Sequence, residues 1–269
     1  MQRKFAVNLL FLAMMFIFVR ISAAAPYFRG TSLMNIPTSD VMRLGIFSAG
    51  VHIAFQGQER DEMAMRADFG VLSFAELGLM TLKRDGKDYL LGNAKLIITR
   101  EVGSIPSLTI GVDNLGEKVR DPMGSYERSI YGVLSKSFNL PVLHLINGHL
   151  GIGGHRYVSE TSLGKYLHGI FMGLNKEIEF LNRRLHLMAE VDGIGLNAGL
   201  RYMMDSGLSL SVGLGPLSSG SEDIRYYLGM GFTNESIAGK IRQNSELAKR
   251  AVRIANEARS DADNSEAEK

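Results

Sequence analysis

Between residues 44 and 233 the sequence repeats one pattern. Stretches of about ten residues alternate apolar side chains with small, polar or charged ones, and polar or Gly/Pro-containing turns separate them. Successive side chains of a β-strand point to opposite faces, so each stretch carries one apolar face and one small or polar face. Phe47, Ala49, Val51, Ile53 and Phe55 lie opposite Ser48, Gly50 and His52. Leu185, Leu187, Ala189 and Val191 alternate with His186, Met188, Glu190 and Asp192. Ile194, Leu196, Ala198, Leu200 and Tyr202 alternate with Gly195, Asn197, Gly199, Arg201 and Met203. Leu208, Leu210, Val212 and Leu214 oppose Ser209, Ser211, Gly213 and Gly215, and Ile224, Tyr226, Leu228, Met230 and Phe232 oppose Arg225, Tyr227, Gly229 and Gly231.

A soluble sandwich alternates as well, but three features favour a membrane. The stretches are close to the roughly 9–11 residues of a tilted span. Their apolar faces are almost free of charge, and their other faces are rich in Gly, Ser, Asn and charge, as a barrel lumen is. The expected fold is all-β: an antiparallel transmembrane β-barrel of about twelve strands, with a C-terminal helical tail. The strands are expected at 44–55, 62–70, 72–83, 89–100, 105–114, 127–138, 142–152, 166–175, 184–191, 194–204, 207–215 and 223–233. An even count puts both ends on one side, expected to be periplasmic. Connections 56–61, 84–88, 115–126, 153–165 and 216–222 then face outward, while those at 71, 101–104, 139–141 and 205–206 are mostly shorter. Two connections break this asymmetry: a tight Asp192-Gly193 turn on the outer side and a longer 176–183 segment on the inner one. Alternation is weakest around 127–152, which leaves the count a margin of two.

The two ends differ from the middle. Arg3 and Lys4 precede a nearly all-apolar run, Phe5 to Val19, and Arg20 is followed by small residues through Ala25. This is the layout of a secretory signal, with cleavage expected after Ala24 because Pro26 disfavours a cut after Ala25. The apolar run is short for a membrane-spanning helix. The chain therefore divides into a signal peptide (1–24), an N-terminal segment (25–43), an outer-membrane barrel (44–233) and a periplasmic helix with a disordered tail (234–269). Asn234 is a fitting N-cap for 235–259, which is rich in Ala, Glu, Lys and Arg. Ile237, Ile241, Leu247, Ala251 and Ile254 form a thin apolar stripe there. Lys249, Arg250 and Arg253 make either a solvated face or a contact with an anionic surface.

Before the first strand stands Gly30-Thr-Ser-Leu-Met-Asn35-Ile-Pro37-Thr38-Ser-Asp40. It resembles the Gly…Asn-x-Pro-Thr-Ala opening segment of YjbH-type proteins, the exopolysaccharide-associated outer-membrane family. Gly151-Ile-Gly153-Gly154-His-Arg156 and Glu190-x-Asp192-Gly193-x-x-x-Asn197-x-Gly199-x-Arg201 fit the same family, so the resemblance spans roughly 30–233. It implies an outer-membrane barrel linked to polysaccharide production or export, without established catalytic residues. The chain departs from the family in lacking a lipobox cysteine, in being short, and in ending with a charged helix.

Glu190 and Asp192 share a face, as do Asn197 and Arg201 on the next strand, so a tight hairpin brings all four together in the lumen. They form either a hydrogen-bonded ion-pair network, the favoured reading since enclosed charges need partners, or a polar ligand or constriction site. His52, Arg66, Asp68, Lys95, Asp113 and Arg225 are further lumen-facing candidates.

Enzyme signals are poor, and neither a catalytic residue nor a cofactor is expected. The six histidines show no metal-ligand spacing, and His149 with His155 suits a loop or lumen better than a metal. Gly148-x-x-Gly151-x-Gly153-Gly154 lacks the Lys-Ser/Thr of a phosphate loop and fits close packing or a bend. Glu76 and Asp113 could be paired carboxylates only if the fold brought them together. With no cysteine, disulfides, thiolate metal sites and thiol catalysis are excluded. A net charge of +2 offers no basis for nucleic-acid binding. The expected partners are outer-membrane lipid, with polysaccharide or periplasmic envelope proteins reached through the C-terminal helix. Two functions stay open: a barrel for envelope transport or polysaccharide export, and a non-conducting barrel with a filled lumen.

Overall fold

The computed structural model describes residues 30–254 except 56–61, 85, 117–127, 142–143, 159–163, 218–223, 240, 242, 244 and 245. The expected signal peptide and the end of the polar tail lie outside the described residues. Twelve antiparallel strands close into a barrel, each paired with its sequence neighbours and β1 with β12. They are β1 (Phe47–Phe55), β2 (Glu62–Leu72), β3 (Ala75–Arg84), β4 (Lys87–Thr99), β5 (Ser107–Gly116) and β6 (Ser129–Leu140). β7 (His144–Gly153), β8 (Ile170–Phe180), β9 (Arg183–Val191), β10 (Leu196–Met203), β11 (Leu208–Gly215) and β12 (Arg225–Thr233) complete the ring. All twelve expected strands are present, including the two in the weakly alternating middle.

Buried and exposed side chains separate along the walls. Ser48, His52, Arg66, Asp68, Asn93, Lys95 and Asp113 are buried inside, while Ile53, Met65, Leu79, Ile110, Leu134, Leu174 and Leu200 are exposed outside. By strand parity Lys136 and Lys176 face outward, both in the half of the barrel nearer the chain ends. Lys136 bonds Glu101 in the turn before β5, 2.8 Å away, and this contact with those from Ser137 holds the Glu101 carboxyl below its usual range.

Three expectations are corrected. The 176–183 segment is not a long connection: β8 runs to Phe180, and Leu181 and Asn182 (φ 53 and 58) turn directly into β9. Left-handed conformations at both central residues match the twist of flanking strands, and Asn tolerates them well. One of the two exceptions to the loop asymmetry thus disappears. β8 begins at Ile170 rather than 166, because Gly164–Leu167 is helical and Gly169 (φ +90) turns the chain into the strand. Ile194 is buried in the turn after β9 instead of facing outward, because Asp192 Oδ1 accepts the amides of Ile194 and Gly195 at 2.8 and 2.9 Å.

The described residues beyond β12 are helical from Glu235. The Asn234 carbonyl accepts the Ala238 amide, as an N-cap residue's does. Its side chain does something else: Oδ1 accepts from Phe47 N and Nδ2 donates to Gly45 O, tying the helix start to the rim at β1. Ile237, Ile241, Leu247 and Ile254 are exposed.

Candidate functional site: a hairpin seated in the lumen

A barrel of about eight strands is filled by its own side chains, and sixteen or more leave an aqueous channel. Twelve strands enclose space that small lumen side chains do not fill, and here the N-terminal segment fills it. Residues 31–38 double back on themselves, with Leu33 N donating to Ile36 O, Thr38 N to Thr31 O, and a bridge between Ser32 and Pro37. Pro37 fixes one arm and Asn35 sits at the tip, which suits a tight turn. Leu33, Met34 and Ile36 are all at most 2% exposed. They form one apolar cluster with Tyr131, Val133, Phe171, Met188 and Tyr227 of the walls and with Tyr157.

Lumen glycines make the socket. A Cβ at Gly199 or Gly213 would come within 2.6 or 2.3 Å of the Met34 side chain, and one at Gly173 within 2.5 Å of Leu33. Glycine on the inner faces of β8, β10 and β11 therefore provides room for the hairpin's apolar side chains.

The hairpin backbone cannot complete its own hydrogen bonds, and an enclosed N–H or C=O without a partner is costly. Wall side chains supply the partners. At the tip, Glu190 accepts the amides of Met34, Asn35 and Ile36 at 3.0, 2.7 and 3.3 Å. Asp192 accepts Asn35 Nδ2 at 3.0 Å, and Asn197 Nδ2 donates to both carboxylates. Arg201 donates to the carbonyls of Leu33 and Ser32 at 3.1 and 3.3 Å. Along the arms, Glu76 accepts from Thr31 Oγ1 and Met42 N, and Lys95 Nζ reaches the carbonyls of Thr31, Thr38 and Asp40. Ser39 N donates to Ser135 Oγ, Ser39 O accepts from Thr109 Oγ1, and the Ser39 and Ser107 hydroxyls touch.

At the end of the lumen away from the chain ends, Arg156 and Tyr157 of the connection after β7 are buried over the hairpin tip. Arg156 and Tyr157 both bond Asp113 Oδ2, at 2.8 and 3.1 Å, and Arg156 also donates to the Asn35 carbonyl at the hairpin tip. The Tyr157 ring packs 4.4 Å from that of Phe171.

The sequence candidates thus separate by partner. Glu190, Asp192 and Asn197 stand together. Arg201 reaches the hairpin carbonyls rather than standing with them as one self-contained hairpin group, because its place lies four residues along β10 from Asn197. Lys95 and Asp113 hold the hairpin and its cap. Arg66 and Asp68 pair loosely at 3.8 Å, His52 lies nearby, and Arg225 is buried on the wall of β12. Glu76 and Asp113 do not pair with each other; each serves a different partner. His149 bonds Ser135 and Asn175 at 2.7 and 2.8 Å, and Gly151 and Gly153 make room for Phe171 and Tyr157, which is the close packing expected of that run. The residues missed from sequence are Leu33 to Ser39 themselves, together with Ser107, Thr109, Ser135 and Arg156.

Arg201→Ala removes the donor to two enclosed carbonyls, so the folded barrel should lose its gel mobility at a lower temperature, by roughly 1–3 kcal/mol in stability. An unchanged transition temperature would contradict its holding role.

No family model matches the sequence, and no curated protein matches it either. Among solved structures the chain is similar to a KdgM porin, with 13% identity and a TM-score of 0.46 over 69% of this chain and 98% of the porin chain.

Proposed function

We propose that the protein is an outer-membrane β-barrel, closed at rest by its own N-terminal hairpin. Membrane insertion is supported by the outer wall. Apolar side chains are exposed all around it, far more than a soluble monomer displays. The outward lysines sit toward the ends of their strands, Lys136 and Lys176 on the side of the chain ends and Lys83 on the other, where long side chains can reach an interface. Turns on the side of the chain ends are short, and the longest connections are opposite, the arrangement of a barrel with a periplasmic base.

Closure rests on one observation above the others: Glu190 accepts three consecutive amides of the hairpin tip. A carboxylate in that position holds a backbone segment in place and leaves the tip no unpaired amide. The intact protein is therefore expected in the outer-membrane fraction, heat-modifiable on gels, and silent in planar bilayers. A soluble product would overturn insertion, and steady ion currents from the intact chain would overturn closure.

A second reading is envelope transport, with polysaccharide as the cargo implied by the YjbH-like sequence blocks. It is favoured by the polar contacts that hold the hairpin arms beside the apolar cluster at its tip. Hydrogen bonds to carboxylates and lysine exchange readily with water, whereas a dry apolar filling would not. In that reading the hairpin withdraws toward the periplasm before anything passes.

A further inference from the structure

Below the hairpin, on the side of the chain ends, the lumen opens into a cavity of about 360 Å³. Its wall is made by β1, β2 and β10 to β12, and its roof by the hairpin arms. The pairing register places His52, Gly229, Ser211 and Arg201 in one row across β1, β12, β11 and β10, with Arg66 beside Gly50 one step away. Arg43, Arg66, Arg100 and Arg201 all line the cavity, against the carboxylates Asp40 and Glu235. Ser48, Ser209 and Ser211 add hydroxyls between the cations.

We propose that this vestibule binds a small, multiply charged oxyanion, a phosphate or polycarboxylate solute. Four guanidinium groups border one cavity, Arg66 and Arg201 from β2 and β10, and Arg43 and Arg100 at the rim, before β1 and after β4. Each presents a planar fork that matches oxyanion geometry, and hydroxyls fill the gaps as neutral donors. Asp40 is already turned to its own segment through Thr38 Oγ1 at 3.2 Å. Arg66 pairs with Asp68 at 3.8 Å, and Arg100 is anchored by the Ser73 carbonyl. Low-dielectric walls focus the potential of such a cluster and raise the local anion concentration. Arg201 gives the site a consequence: the same side chain holds the Leu33 and Ser32 carbonyls, so an anion that draws it down loosens the hairpin. That coupling rests on the closed-barrel reading; the site itself does not.

The test is calorimetric titration of the detergent-folded full chain with inorganic phosphate and, in parallel, with citrate, using chloride at matched ionic strength as control. Saturable binding of phosphate, citrate or both is expected, with the stronger ligand identifying the oxyanion class. Arg66→Gln and Arg100→Gln should each weaken it about tenfold, the effect of losing one charge-assisted contact. Lys87→Gln, at the far end of the barrel, should leave it unchanged. Absence of saturable binding by both anions, or binding indifferent to Arg66→Gln and Arg100→Gln, would overturn the site. Conductance of a barrel without the hairpin reports on closure separately, so the two claims fail independently.

Discussion

A chain lacking residues 31–42 should still fold into a heat-modifiable barrel and should conduct in discrete steps where the intact chain is silent. The ladder that closes the barrel runs through β1 to β12 and does not include the hairpin. Its removal leaves Glu76, Lys95, Glu190 and Arg201 facing a water-filled lumen, where water replaces the lost backbone partners at small cost. The Tyr157–Phe171 cover narrows the far end, but it loses the Arg156 contact to Asn35 and the apolar packing of Leu33, Met34 and Ile36. Folded, silent barrels without residues 31–42 would mean that the walls and the far cover close the lumen alone.

Glu190→Ala should have the next largest effect. It leaves the amides of Met34, Asn35 and Ile36 without their acceptor in an enclosed space. Each such amide costs about 1–3 kcal/mol if water does not reach it. The three losses are not additive, because the tip can shift, and Asp192 still holds Asn35. A net loss of about 3 kcal/mol in hairpin seating is expected, seen as intermittent openings in bilayers and faster protease cleavage within 31–42. Glu190→Gln keeps one carbonyl acceptor and should fall between the two. Protease resistance equal to that of the unaltered chain would remove Glu190 from the account.

The barrel was legible from the sequence because a period of two is a local property. Phe47 to Phe55 declare their inner and outer faces within nine residues, and neighbouring strands pair in order. The inner-face charges were legible for the same reason. Their partners were not. Nothing local in Glu190 or Arg201 shows that the groups they bond are the backbone of residues 32–36, more than 150 positions away. The block around Asn35-Ile36-Pro37-Thr38 stood out only as a resemblance, although Leu33, Met34 and Ile36 are apolar residues outside any strand and so need a place to be buried. The inner-face glycines Gly173, Gly199 and Gly213 carried the complementary signal, an empty volume in the wall. The long connection expected at 176–183 failed because Leu181 adopts a left-handed conformation that its side chain does not advertise.

The hairpin's presence inside the lumen is tested most directly by a cysteine pair in a chain that has no cysteine of its own. The Ser39 hydroxyl on the hairpin arm touches that of Ser107 on β5. Two sulfur atoms at these positions lie within reach of a bond, and each substitution exchanges one small side-chain atom for another. In the doubly substituted Ser39→Cys, Ser107→Cys barrel, a disulfide should form on mild oxidation and protect both thiols from a maleimide. The barrel should then stay silent in bilayers, both oxidised and after a reductant is added. Two freely labelled thiols in the folded, oxidised barrel would place the hairpin outside the lumen and contradict closure.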